Sequence, residues 1–107
     1  MAKYGVYLNP EGVGYLLDVQ ADVNNHFNTR VMVPLLPLDV APKPARTLNP
    51  LFELNGETYS LVTQYMAAMP VKVLKEKIFS LEERHDEIVA AIDLLGASKN
   101  LRLARPW

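Results

Sequence analysis
Hydrophobic positions come in short alternating runs over most of the chain and take a helical spacing only near its end. Residues 4–8 (Tyr-Gly-Val-Tyr-Leu) and 13–19 (Val-Gly-Tyr-Leu-Leu-Asp-Val) are rich in β-branched and aromatic side chains. The Asn9-Pro10-Glu11-Gly12 between them has turn chemistry, so the pair predicts a β-hairpin. A third strand is expected over 29–33, ending at Pro34, because a proline has no N–H for a ladder and belongs at a strand end or an edge. Five of the eight prolines stand at 34, 37, 42, 44 and 50, a spacing no helix tolerates. The stretch 34–50 therefore reads as an extended connection with one short turn near Leu38 to Val40.

Leu51-Phe52-Glu53-Leu54 and the apolar-polar run 57–63 flank Asn55-Gly56, a dipeptide suited to a type I′ turn because both central residues need positive φ. Further on, Pro70 marks a boundary and Val71 to Leu74 predict a short strand. Ser80-Leu81-Glu82-Glu83 fits a capping box, in which the serine oxygen accepts from the Glu83 N–H and the Glu83 carboxylate accepts from the serine N–H. Leu81, Ile88, Ile92 and Leu95 then recur at helical spacing, predicting one amphipathic helix over 81–95 closed by Gly96. Five or six short strands and one terminal helix, with no repeat and no linker, predict a mainly β fold. Its expected form is a small antiparallel barrel or curved sheet carrying the helix on its apolar face.

Composition narrows the function classes more than it names one. The chain has 107 residues, half of them hydrophobic, with 11 basic and 12 acidic side chains for a net charge of -1. That balance argues against a duplex-binding domain, whose basic residues must offset phosphates. No cysteine is present, which removes disulfides, thiolate nucleophiles and cysteine-based metal sites. No apolar run approaches the roughly 18 residues of a membrane span, and Met1-Ala2-Lys3-Tyr4 does not open a signal peptide, so a cytoplasmic location is expected. The charge is uneven near the end. Residues 76–93 carry Glu76, Glu82, Glu83, Asp86, Glu87 and Asp93, whereas 96–107 carry Lys99, Arg102 and Arg105 with no acid. They read as a solvated acidic helix face followed by a basic tail, expected to be flexible.

Candidate chemistry is thin. His26 lies in the polar run Asn24-Asn25-His26-Phe27-Asn28 and reads as a solvated turn residue. His85 is four residues after Leu81 and three before Ile88, which puts it on or beside the buried stripe as a packed or partly buried histidine making one hydrogen bond. Neither has a second histidine at helical spacing, so no metal site is expected. Glu83, Asp86 and Glu87 resemble paired carboxylates but fall on the outer face. The isolated glycines form no phosphate loop. Binding is the better expectation than catalysis, and no cofactor is expected. A small-barrel hydrolase or a nucleic-acid module, resting on His26, His85 and the basic tail, is the competing class.

Several segments, taken in order, resemble the CcdB toxins of bacterial toxin-antitoxin systems. They are Leu17-Asp18-Val19-Gln20-Ala21-Asp22, Arg30-Val31-Met32-Val33-Pro34-Leu35, Leu48-Asn49-Pro50 and the strand pair around Asn55-Gly56-Glu57. Met66-Ala67-Ala68-Met69-Pro70-Val71 and Ile88-Val89-Ala90-Ala91-Ile92-Asp93-Leu94-Leu95 complete the set. The resemblance implies a toxin domain over 1–95 with an SH3-like barrel, a small accessory sheet and a C-terminal helix, followed by the tail 96–107. It implies a homodimer that binds and poisons the A subunit of DNA gyrase without enzymatic activity. It also implies a CcdA-like antitoxin whose disordered C-terminal segment wraps the toxin, with DNA reached only through the toxin-antitoxin complex.

The family's gyrase-contacting positions fall on Val23 and Asn24, on Asp93 and on Ala97, Ser98 and Lys99. The second of the apolar pair is thus polar here, and the family's Gly-Ile terminus is replaced by a chain that runs on to Pro106-Trp107, where Trp107 offers an aromatic contact from the new end. These departures open a second expectation, a family member that keeps the fold and its antitoxin or operon role but has lost gyrase poisoning.

Overall fold
In the computed structural model, which describes residues 2–21 and 28–97, the alternating runs fold into an antiparallel sheet. Its strands are β1 (Gly5–Leu8), β2 (Tyr15–Asp18), β3 (Thr29–Pro37), β4 (Leu51–Leu54), β5 (Glu57–Leu61), β6 (Ala67–Pro70) and β7 (Phe79–Ser80), and helix α1 is His85–Ala97. The strand order is β4-β5-β3-β2-β1-β7, with β6 pairing β3 off this path. The sheet curls into a half-barrel, and α1 closes it by burying Ile88 and Ala91 fully. The expected class, mainly β with one C-terminal helix, is the one observed.

Strand β3 organises the sheet. Its first half, Thr29 to Met32, pairs with β6, and its last residues, Leu35 to Pro37, pair with β5. Its other edge pairs with β2 from Met32 to Leu35. The sequence expectation ended this strand at Pro34, but the strand runs through it. The Pro34 carbonyl accepts from the Val62 N–H at 2.9 Å, so its nitrogen points to the same side, into the gap between β6 and β5 where no strand residue pairs with Pro34. The ring therefore removes a donor where the ladder needs none.

The period-two alternation is buried on both faces in the centre of the sheet. Val6, Leu17, Val33 and Leu35 join Phe52, Leu54, Tyr59, Leu61, Leu81 and Ile88 in the main core, against which Ile92, Phe79 and Val19 pack. Tyr15 sits edge-on to Tyr59 at 5.2 Å and to Phe79 at 5.7 Å. The alternate positions Tyr7, Leu16 and Met32 form a second cluster on the other face, covered by Met69 and Leu74.

Local signals fare unevenly. Asn55 and Gly56 take φ of 54° and 84°, as the type I′ turn between β4 and β5 requires. The turn near Leu38 to Val40 is present, held by Val40 and Ala41 N–H groups on the Pro37 carbonyl. Around Pro70 the order is reversed. The strand β6 ends at the proline, whose partner on β3 is Thr29, while Val71–Val73 is a 3-10 turn rather than a strand. The capping box does not form either. Ser80 Oγ accepts from the Glu82 N–H at 3.3 Å, Glu82–Arg84 is a 3-10 turn, and α1 begins only at His85 and runs through Gly96 to Ala97. With Leu81 rather than Ser80 preceding the 3-10 turn, the serine oxygen meets the N–H two residues on, that of Glu82, and not that of Glu83.

Candidate functional site
The end of α1, the exit of β2 and the entry to β1 meet at a cleft of about 180 Å³ lined by Lys3, Tyr4, Val19, Val89, Ile92 and Asp93. Helix periodicity explains the helical side. Ile88 and Ala91 face the barrel, Ile92 is half-buried, and Val89 and Asp93, four residues apart, stand exposed on the neighbouring strip. Across the cleft, Tyr4 adopts a positive φ of 70°, a conformation rarely taken by a residue with a Cβ. Backbone bonds on both sides hold it there, from the Tyr4 N–H to the Asp18 carbonyl at 2.6 Å and from the Leu81 N–H to the Tyr4 carbonyl at 2.9 Å. Lys3 Nζ lies 5.2 Å from the Tyr4 ring centre. The cleft therefore combines an apolar floor with one carboxylate, one ammonium and a tyrosine, a composition suited to recognising another protein surface.

Directly behind Val19 lies the one ion pair with both members buried among the described residues. Arg30 Nε donates to Asp18 Oδ2 at 2.9 Å and its Nη2 to Asp18 Oδ1 at 3.0 Å, with Asp18 fully buried and Arg30 only 3% exposed. The same Nη2 reaches the Gln20 carbonyl, Asp18 Oδ1 accepts from the Gln20 N–H, and Gln20 Oε1 accepts from the Val31 N–H. The two ends of the connection from β2 to β3 are thus tied together at its root.

Of the residues expected at a binding surface, Asp93 lies in the cleft and is exposed, and Ala97 is the last residue of α1. Val23, Asn24, Ser98, Lys99 and Trp107 lie outside the described residues, as do His26 and most of the basic tail. Lys3, Tyr4 and Val19 carry no local signal of a site, because what brings them to Asp93 is the pairing of β1 with β2 and the docking of the helix.

His85 makes the expected hydrogen bond but is more exposed than its spacing suggests. It stands in the first turn of α1 with its side chain about half exposed, Nδ1 at 2.8 Å from the Glu82 carbonyl and Nε2 at 3.0 Å from Asp86. The late start of the helix turns this position outward. Glu82, Glu83, Asp86 and Glu87 are all exposed, as expected for a solvated face. Among the described residues no group of three or more histidines and carboxylates could hold a metal, and no helix is long and apolar enough to cross a membrane. A wider opening of about 590 Å³ beside the start of β3 is lined by Asn28, Thr29, Pro70, Val71 and Lys72, with Lys72 as the charged member of that set.

On the acidic face, Arg84 pairs with Glu87, lies 4.3 Å from the Phe52 ring centre and donates to the Leu51 carbonyl at 3.3 Å, fastening α1 to β4. The hydrogen bond from Arg84 holds the Glu87 carboxyl below its ordinary value of 4.5, partly opposed by desolvation. A depressed folded-state value means the pair stabilises the fold above the unfolded pKa and loses that contribution as pH falls through the folded one. Both side chains are more than 40% exposed, so solvent screening limits the effect to about 0.3–0.5 kcal/mol. Thermal unfolding followed between about pH 6 and pH 3 is expected to show Glu87→Gln losing slightly less stability than the native chain as the acid limb is crossed.

Residues 3–97 match the sequence family described as CcdB protein. The fold also superposes on a solved structure of an endoribonuclease in complex with its cognate antitoxin from a mycobacterial species. The TM-score is 0.69 at 16% identity, covering 92% of this chain and 97% of that one. At that identity the likeness is one of fold.

Proposed function
The chain belongs to the CcdB family, and from that membership we propose that it is the toxin of a type II toxin-antitoxin pair, acting by binding and poisoning the A subunit of DNA gyrase. The observation that carries this reading is the cleft in which Asp93, the family's helix-end contact, stands beside Val19 at the root of the connection that leads to Val23 and Asn24. Surface positions far apart in the chain converge there, as a contact surface for a large partner requires. The exposed Val89 and Leu94 on the same helix supply apolar area for a second copy of the chain, in keeping with a homodimer. A cognate antitoxin is the expected neutralising partner, and the mycobacterial structural neighbour is an endoribonuclease in complex with its cognate antitoxin.

Binding rather than catalysis is the proposed mode of action. The cleft offers one carboxylate and one ammonium, while Arg30, behind Val19, is committed to Asp18. A ribonuclease activity, which the neighbour's description raises, would appear as RNA cleavage by the purified chain that is lost on changing Lys3 or Asp93. The departure at Asn24 and the chain beyond Ala97 favour a second reading, a family member retired from gyrase poisoning that retains its antitoxin.

Reversing the charge at Asp93 separates the readings. Asp93→Lys, at an exposed position, is expected to leave the melting temperature unchanged and to weaken binding to the gyrase A subunit about tenfold or more, with growth arrest relieved accordingly. Native arrest of growth that Asp93→Lys leaves intact would move the contact away from this cleft. No arrest by the native chain would favour the retired toxin.

A further inference from the structure
A buried ion pair is an expensive way to hold a strand end, because two charges must leave water and a well-packed apolar pair often stabilises a fold as well or better. What the Asp18–Arg30 pair does that an apolar pair could not is visible in its secondary bonds. The carboxylate holds the Gln20 N–H, the guanidinium holds the Gln20 carbonyl, and the Gln20 side chain holds the Val31 N–H, all within 3.2 Å. The Val19 N–H is bonded to the Val31 carbonyl at 3.0 Å between them. Asp18 and Val19 are consecutive and point to opposite faces of the sheet, so fixing the first on one side fixes the second against the main core and into the cleft on the other.

We infer that the Asp18–Arg30 pair is a positioning device for partner recognition, holding Val19, the β2 wall of the cleft, in its binding geometry. The inference rests on the reading of the cleft as the partner-binding surface. Neither residue is a contact: both are buried, and they act through Gln20 and Val19. Without the pair, the wall is free to sample other conformations and must be ordered each time a partner binds, which weakens affinity.

The test uses the double variant Asp18→Leu with Arg30→Met, which removes both charges together and keeps apolar volume, so the fold is retained. Three quantities are read on the full chain: melting temperature, amide exchange of the segment spanning Val19 to Val31, and calorimetric affinity for the gyrase A subunit. The expected result is an unchanged or raised melting temperature, faster exchange confined to that segment, and affinity lower by about tenfold or more. A merely structural role would move the melting temperature and leave the affinity of the folded fraction alone. Unchanged exchange in the double variant overturns the inference, and so does affinity equal to that of the native chain. If the native chain itself binds no gyrase, the reading of the cleft fails; exchange that is still faster in the double variant then supports the pair as the clamp on the wall, and unchanged exchange rejects it.

Discussion

Arg30→Met alone is expected to destabilise the fold by about 3–5 kcal/mol, the range for removing one partner of a buried ion pair. The Asp18 carboxylate has no exposed surface and accepts two of its hydrogen bonds from this guanidinium. Methionine fills the volume but offers no donor, so the carboxylate keeps the bond from the Gln20 N–H and loses both guanidinium donors. The Gln20 carbonyl loses its donor in the same step. Against a total stability of about 5–15 kcal/mol for a domain of this size, the loss takes roughly a fifth of the margin or more. Urea unfolding checks it, and the double variant supplies the control: restoring stability by adding Asp18→Leu would show that the penalty is the orphaned charge and not the lost packing. A loss below about 1 kcal/mol would show that the site relaxes or admits water, and that the pair anchors little.

Gly14→Ala is expected to cost about 3 kcal/mol or more, for two reasons that add. The residue has φ of 86°, where a Cβ is already unfavourable. A Cβ built there would also lie 2.2 Å from the Leu35 carbonyl oxygen and 3.3 Å from its carbon, and both belong to the backbone of a central strand that cannot move aside alone. The glycine is what lets the β1–β2 turn close against β3, with the Gly14 carbonyl accepting from the Asn9 N–H at 3.1 Å. Gly12 provides the comparison. It shares the unusual backbone, with φ of 142°, but a Cβ there meets nothing within 4 Å, so Gly12→Ala is expected to lose only the conformational part, about 1–2 kcal/mol. Equal losses at the two positions would mean that the close approach to Leu35 carries no weight.

Where physics is local, the fold was legible in the sequence. Asn55-Gly56 announces its turn because two adjacent positive φ angles exclude most other residues, and the helical spacing of Ile88 and Ile92 identifies the buried face of α1. The strand end expected at Pro34 and the strand expected after the boundary at Pro70 both fail for a shared reason. A proline constrains one side of one residue, and whether that side needs a donor depends on which strand lies beside it. At Pro34 the adjoining strands leave a gap, so the strand continues. At Pro70 it is the pairing of β6 with β3 that decides where the strand falls. His85 is more exposed than its spacing suggests because it opens the first turn of α1, after a 3-10 turn at Glu82–Arg84, at the rim of the buried stripe.

Of the residues lining the candidate cleft, family resemblance points to Asp93 alone. Its remaining lining, Lys3, Tyr4 and Val19, is assembled by strand pairing between segments that carry no mutual signal along the chain. The buried pair is hidden in the same way: Asp18 and Arg30 read as ordinary polar positions at strand ends, and only the β2–β3 register, with Asp18 opposite Met32, brings them onto one face.

The most direct test of the account is a calorimetric titration of the full chain against the dimerisation region of the gyrase A subunit, alongside a form ending at Ala97. The proposed function predicts sub-micromolar binding by the full chain, and a loss of affinity in the shorter form would assign a contact to residues 98–107. Absence of binding by both forms would contradict gyrase poisoning while leaving the CcdB fold intact, and would make the retired toxin the correct reading.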